Sequence, residues 1–110
     1  MQYSIHKFLF CVYALLPATL IAEEYPLHAA IRDGVPSRVR EELWSSRLNQ
    51  RNGADQTPLM VAAMNDRSTS ARLVLEAGAR VDEETVEYGA TALMMASQNG
   101  YHEVVELLLS

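Results

Sequence analysis

The residues of this chain that could carry chemistry are three histidines, one cysteine, five methionines and fourteen carboxylates. A metal site needs ligands at set spacings, such as two His four apart on a helix or paired Cys. His6, His28 and His102 are far apart in the chain, and Cys11 stands alone. Glu41-Glu42 and Glu83-Glu84 are neighbours in sequence, so their side chains project apart; they suit solvated charge better than a general acid/base pair. No catalytic residue, cofactor or metal ion is expected. Met60, Met64, Met94 and Met95 form a soft, adaptable group. Such side chains fill cores or line versatile binding surfaces.

The elements that would position these residues begin after a segment of a different kind. Met1 to Lys7 contains the single Lys, Phe8 to Ala22 is apolar apart from Pro17 and Thr19, and Glu23-Glu24 follow. A basic start, an apolar middle and a small residue before the cut make a secretory signal peptide. Cleavage is expected after Ala22, although Leu20 stands where a small residue is preferred. An uncleaved anchor is the alternative, but a span needs about 20 apolar residues. Residues 23–110 would then keep eight Arg against fourteen Asp plus Glu, a net charge near −6, and no Cys. Without a positive face they are not expected to hold nucleic acid. Once the signal is removed they are not expected to hold membrane either. The chain is expected to be exported, into a periplasm or out of the cell.

Self-similarity organises what remains. Pro26-Leu27-His28-Ala29-Ala30, Thr57-Pro58-Leu59-Met60-Val61-Ala62-Ala63 and Thr91-Ala92-Leu93-Met94-Met95-Ala96-Ser97 align, with Leu27 to Leu59 spanning 32 residues and Leu59 to Leu93 spanning 34. Each aligned run is followed by a second one, of which Val104 to Leu109 is the clearest. This layout predicts two short antiparallel helices per unit. Thr57 and Thr91 are placed to cap the first helix, Pro58 to start it, and Gly34 and Gly100 to end it. Gly78 is placed to end the second helix of the middle unit. Small residues at Ala30, Ala62, Ala63, Ala96 and Ser97 allow close approach, and Leu27, Leu59 and Leu93 are expected to fill the gaps between layers.

At this point the residues resemble a known family, the ankyrin repeat. Pro26-Leu27-His28 with Ala30 and Gly34, Thr57-Pro58-Leu59 with Ala62-Ala63, and Thr91, Leu93, Ala96, Gly100 with Glu103 to Leu109 match its T-P-L-H-x-A-A-x-x-G and E-I-V-x-L-L-L signatures. Leu48-Asn49 and Gly78-Ala79-Arg80-Val81-Asp82 match its turn. The resemblance implies an all-α solenoid of stacked helix pairs linked by β-turn loops, with repeats near residues 24–47, 48–79 and 80–110. Repeat one, degenerate and without a leading turn, reads as an N-terminal cap whose second helix runs from Pro36 to about Ser46. Val39, Leu43 and Trp44 are expected to point inward. Repeat two carries Asp66 where Gly is usual, and its second helix is expected to rest on Leu73, Val74 and Leu75. Repeat three carries one extra residue in the Thr85 to Tyr88 turn and has no cap after it.

The resemblance also implies where a ligand would lie. His28 is expected to make a structural hydrogen bond near the helix start, and His102 to be solvated. The partner-binding surface would comprise turn tips and the ends of the first helices. Those are Arg32 and Asp33 from the cap, Gln56, Met64 and Asn65 with Gly53 and Ala54 from repeat two, and Glu87, Tyr88, Gln98 and Asn99 with Ala90 from repeat three. Tyr88 is the expected anchor, an aromatic with a polar tip. Met60, Met94 and Met95 are expected to pack between repeats. The function expected is binding of another protein without catalysis. The alternatives are a host-directed secreted effector and the N-terminal region of a longer enzyme. A second contact is expected at the uncapped end, where Val105, Leu108 and Leu109 would support self-association.

Overall fold

The computed structural model describes residues 25–43 and 48–110. The expected signal segment, and Trp44 with the final turn forecast for the second helix, lie outside the described residues. Within them there are six helices and no strand: α1 (Pro26–Asp33), α2 (Pro36–Glu42), α3 (Pro58–Met64), α4 (Ser68–Glu76), α5 (Ala92–Asn99) and α6 (His102–Leu109). None exceeds nine residues, which is too short for stability in water without tertiary packing.

Packing follows the repeat. Each consecutive pair, α1 with α2, α3 with α4 and α5 with α6, forms a hairpin. The first helices stack as one layer, α1 on α3 on α5, and the second helices as another, α2 on α4 on α6. The core lies between the layers. It contains Leu27, Ala30, Ile31 and Val39 from the first repeat, Leu59 to Ala63 with Ala71 and Val74 from the second, and Ala92, Ala96, Val104 and Leu108 from the third. Alanine at Ala30, Ala62 and Ala96, each with no exposed surface, removes bulk where helices meet.

The local signals act as their chemistry requires. Thr57 Oγ1 accepts from the Met60 N–H at 3.2 Å and Thr91 Oγ1 from the Met94 N–H at 3.2 Å, each meeting one orphan donor of a helix start. Pro26, Pro36 and Pro58 open α1, α2 and α3, where the missing N–H costs nothing. Gly34 and Gly100 end α1 and α5 in the left-handed conformation. Asp66 takes the same place after α3 with φ of 56°, and the Arg67 N–H closes the turn on the Ala62 carbonyl.

Several expectations need correction. Met94 does not pack between repeats: it is 55% exposed, while Met60, one repeat earlier, is 1% exposed. Leu93 is half-buried where Leu27 and Leu59 are buried. Both differences have one cause, since α5 lies over α3 and no described helix lies over α5. Leu108 is buried in the core instead of joining the open face, which is led by Met94 and Leu109. On α4, Leu73, Val74 and Leu75 do pack on the core as expected, Val74 fully buried and the two leucines half-buried, and Ser70 and Ala71 are buried beside them.

Candidate functional site

The candidate surface is built from the turns and from the last residues of α1, α3 and α5. Its turns are held by side chains that replace backbone partners. In repeat two the Asn52 N–H donates to the Gln56 carbonyl, and Asn52 Oδ1 accepts from the N–H groups of Ala54 and Gln56, all at 3.0 Å. In repeat three Thr85 does the same work: its N–H donates to the Ala90 carbonyl at 2.9 Å and its Oγ1 accepts from the Ala90 N–H at 3.0 Å. The turn from Thr85 to Ala90 is therefore one residue longer than that from Asn52 to Gln56. The extra length sits at the tip, where Val86 is 86% and Tyr88 82% exposed.

The turns are joined to one another. Asp55 Oδ2 accepts from the Val86 N–H at 2.6 Å and Oδ1 from Arg51 at 3.0 Å. Arg51 also reaches Glu83 at 3.2 Å, and Glu83 reaches Arg80 at 3.2 Å. The Asp55 carboxyl is held below its ordinary value, first by the Val86 N–H and then by Arg51. On the other side, buried His28 donates from Nε2 to the Gln56 carbonyl at 2.9 Å, and Tyr25 meets its ring edge-on at 5.5 Å. A carbonyl only accepts, so Nε2 carries a proton. Burial pushes the imidazole below its ordinary value despite hydrogen bonds to the backbone of Gln56 and Gln50. The expected structural role of His28 is thus visible, and its bond runs between repeats.

Two hollows lie side by side on this surface. The first, about 270 Å³, lies between α1 and α3, and Arg32, Gln56, Met64 and Asn65 line it together with Tyr25 and His28. The second, about 300 Å³, lies between α3 and α5. Gln56, Met64, Glu87, Tyr88, Gln98 and Asn99 line it, with Thr85 and Met95. Gln56 and Met64 form the ridge between them, joined by a hydrogen bond from Gln56 Nε2 to the Met64 sulfur at 2.9 Å. Of the expected residues, Asp33 and Gly53 line neither hollow; Asp33 pairs with Arg32 Nε at 3.3 Å.

Thr85 and Met95 were not expected at the site, although each had a signal. Thr85 is the counterpart of Asn52 in the turn, and Met95 aligns with Val61, which lines the first hollow. Asn65 and Asn99 are exposed, but their amide NH2 groups are engaged by the carbonyls of Val61 at 2.7 Å and Met95 at 2.9 Å. Each keeps its side-chain oxygen and a second N–H to offer a ligand. Among the described residues, no three His, Cys, Asp or Glu are grouped to hold a metal ion, and no helix is long and apolar enough to cross a membrane.

The family description of ankyrin repeats in three copies matches residues 27–110, the span over which the helix pairs repeat. The chain belongs to the ankyrin-repeat family. Among curated proteins it is similar to ankyrin repeat and SAM domain-containing protein 6 of Mus musculus, 38% identical over 63 residues. It is also similar to the Rattus norvegicus protein of the same name, 36% identical over 63 residues. Each match takes in 57% of this chain and 7% of the relative. The likeness is therefore to a small part of much longer proteins. Ankyrin repeats typically bind other proteins, and the two hollows lie on the side of this array that carries the turns and the ends of the first helices.

Proposed function

We propose that this ankyrin array is a non-catalytic binding module, exported into a periplasm or out of the cell, that holds another protein on its concave face. The observation that carries this reading is the second hollow, where a flexible apolar floor (Met64, Met95) is rimmed by side chains able to donate and accept hydrogen bonds (Gln56, Thr85, Gln98, Asn99). Recognition sites combine these features: an apolar surface that yields burial and a few polar groups that set orientation. Tyr88 stands exposed at the rim as the anchor. The test is affinity capture with the full chain and with Tyr88→Ala/Gln98→Ala. Captured partners are expected to be lost from the double variant, and retention of all of them would place binding elsewhere.

Export rests on the basic, apolar and small-residue order of Met1 to Ala22. N-terminal sequencing of the protein from its producing cells is expected to begin at Glu23. The face beyond α5 and α6 supports a further contact between copies of the chain, because Met94 and Leu109 are exposed there at 55% and 68%. Sedimentation equilibrium is expected to show concentration-dependent dimers, abolished by Met94→Glu/Leu109→Glu.

A further inference from the structure

The two hollows carry opposite charge, and this sets what can lie across them. In the first, Arg32 uses Nε on Asp33 at 3.3 Å, while one terminal nitrogen of its guanidinium is buried with no hydrogen-bond partner. The rest of the Arg32 side chain, 39% exposed, lines the hollow, where its charge suits a carboxylate best. The second hollow has the reverse character. Glu87 lines it, and no Lys or Arg does. Asp55, the other acid at its edge, is already engaged by Arg51 and the Val86 N–H, which leaves Glu87 as the free charge. Between the two stands the ridge of Gln56 and Met64.

Resting on the concave-face reading, we propose that the occupant is an extended partner segment with a fixed order of side chains. An acidic residue enters the first hollow against Arg32, an apolar residue passes the ridge to lie on Met64 and Met95, and a Lys or Arg follows against Glu87. Neighbouring packed helices are about 8–10 Å apart, and an extended chain advances about 3.3 Å per residue. The acidic and apolar residues are therefore about three positions apart. Charge order, and not only composition, decides which partners bind and in which direction they run.

The probe is a displayed library of random peptides about 12 residues long, enough to cross both hollows when extended, selected on the immobilised full chain. Enriched peptides are expected to share an acidic residue about three positions from an apolar one, with Lys or Arg next to the latter. Arg32→Gln is expected to weaken them about tenfold, the scale of one charged hydrogen bond. Replacing the peptide's acid with Lys is expected to do the same. Glu87→Gln is expected to weaken them less, in a salt-dependent way. Arg38→Gln, exposed on α2, controls for net charge, and thermal melts of each variant show that the fold is kept. Enriched peptides without the acid, or binding indifferent to Arg32→Gln, overturn the charge order. If those peptides are still lost from Tyr88→Ala/Gln98→Ala, the concave face stands and only the order fails. If they survive it, or if nothing is enriched, both fail.

Discussion

Residues at special backbone positions decide how comfortably the repeats close. Asp66 occupies the left-handed site after α3, at φ 56°, that Gly34 and Gly100 fill after α1 and α5. A residue with a Cβ is strained there by about 1–2 kcal/mol, less for Asp than for most, and Gly recovers it at some entropic cost. Asp66→Gly is expected to stabilise the array by about 0.5–1 kcal/mol net, read as a rise of a few degrees in Tm. His28 predicts a pH dependence. Its folded-state value lies below the ordinary 6.5 because the ring is buried, so the unfolded chain binds the proton first as pH falls. Stability is full above pH 6.5, declines below it, and levels off once the folded state also protonates. Chemical denaturation across that range is expected to show the decline, and His28→Gln to remove it.

At the scale of elements, helices this short depend on their ends and on their neighbours. The Thr57 cap satisfies the Met60 N–H, while the Thr57 N–H in turn rests on the Met60 sulfur at 3.4 Å. Thr57→Ala is expected to cost about 1 kcal/mol, measured by urea denaturation. Between repeats, Arg67 lays its guanidinium over the end of α1 and donates from two nitrogens to the Arg32 carbonyl at 3.2 and 3.0 Å. Gly34 makes room for it: a Cβ there would lie 3.0 Å from the Arg67 guanidinium carbon. Arg67→Ala is expected to cost about 1–2 kcal/mol, and Gly34→Ala to destabilise through both its positive φ and this contact. The glycine was legible in the sequence as a helix stop. Its second role was not, because Arg67 lies 33 positions further along and pairs only when repeats stack.

At the scale of the whole molecule, a stack gives the same residue different surroundings in successive layers. Met60 and Met94 share a register, yet one is buried between α3 and α5 and the other faces outward. Met60→Glu is expected to unfold the array by burying an unpaired charge. At concentrations where the chain is monomeric, Met94→Glu is expected to leave its circular dichroism and Tm nearly unchanged. Equal damage from both would mean that the outer face of α5 is covered in solution.

The sequence by itself determined the period, the helix pairs, the capping threonines, the glycine stops and most of the residues that line the two hollows. Those properties depend on spacing and on local backbone chemistry, both written along the chain. Only the tertiary structure decided that Leu108 belongs to the core and Met94 to the surface. It also showed that Thr85 takes over from Asn52 in the longer turn and that Arg32 keeps an unpaired nitrogen while Glu87 stands free one hollow away. Each of these depends on which groups from different repeats meet, and a register of about 33 residues places them near one another without saying which will pair.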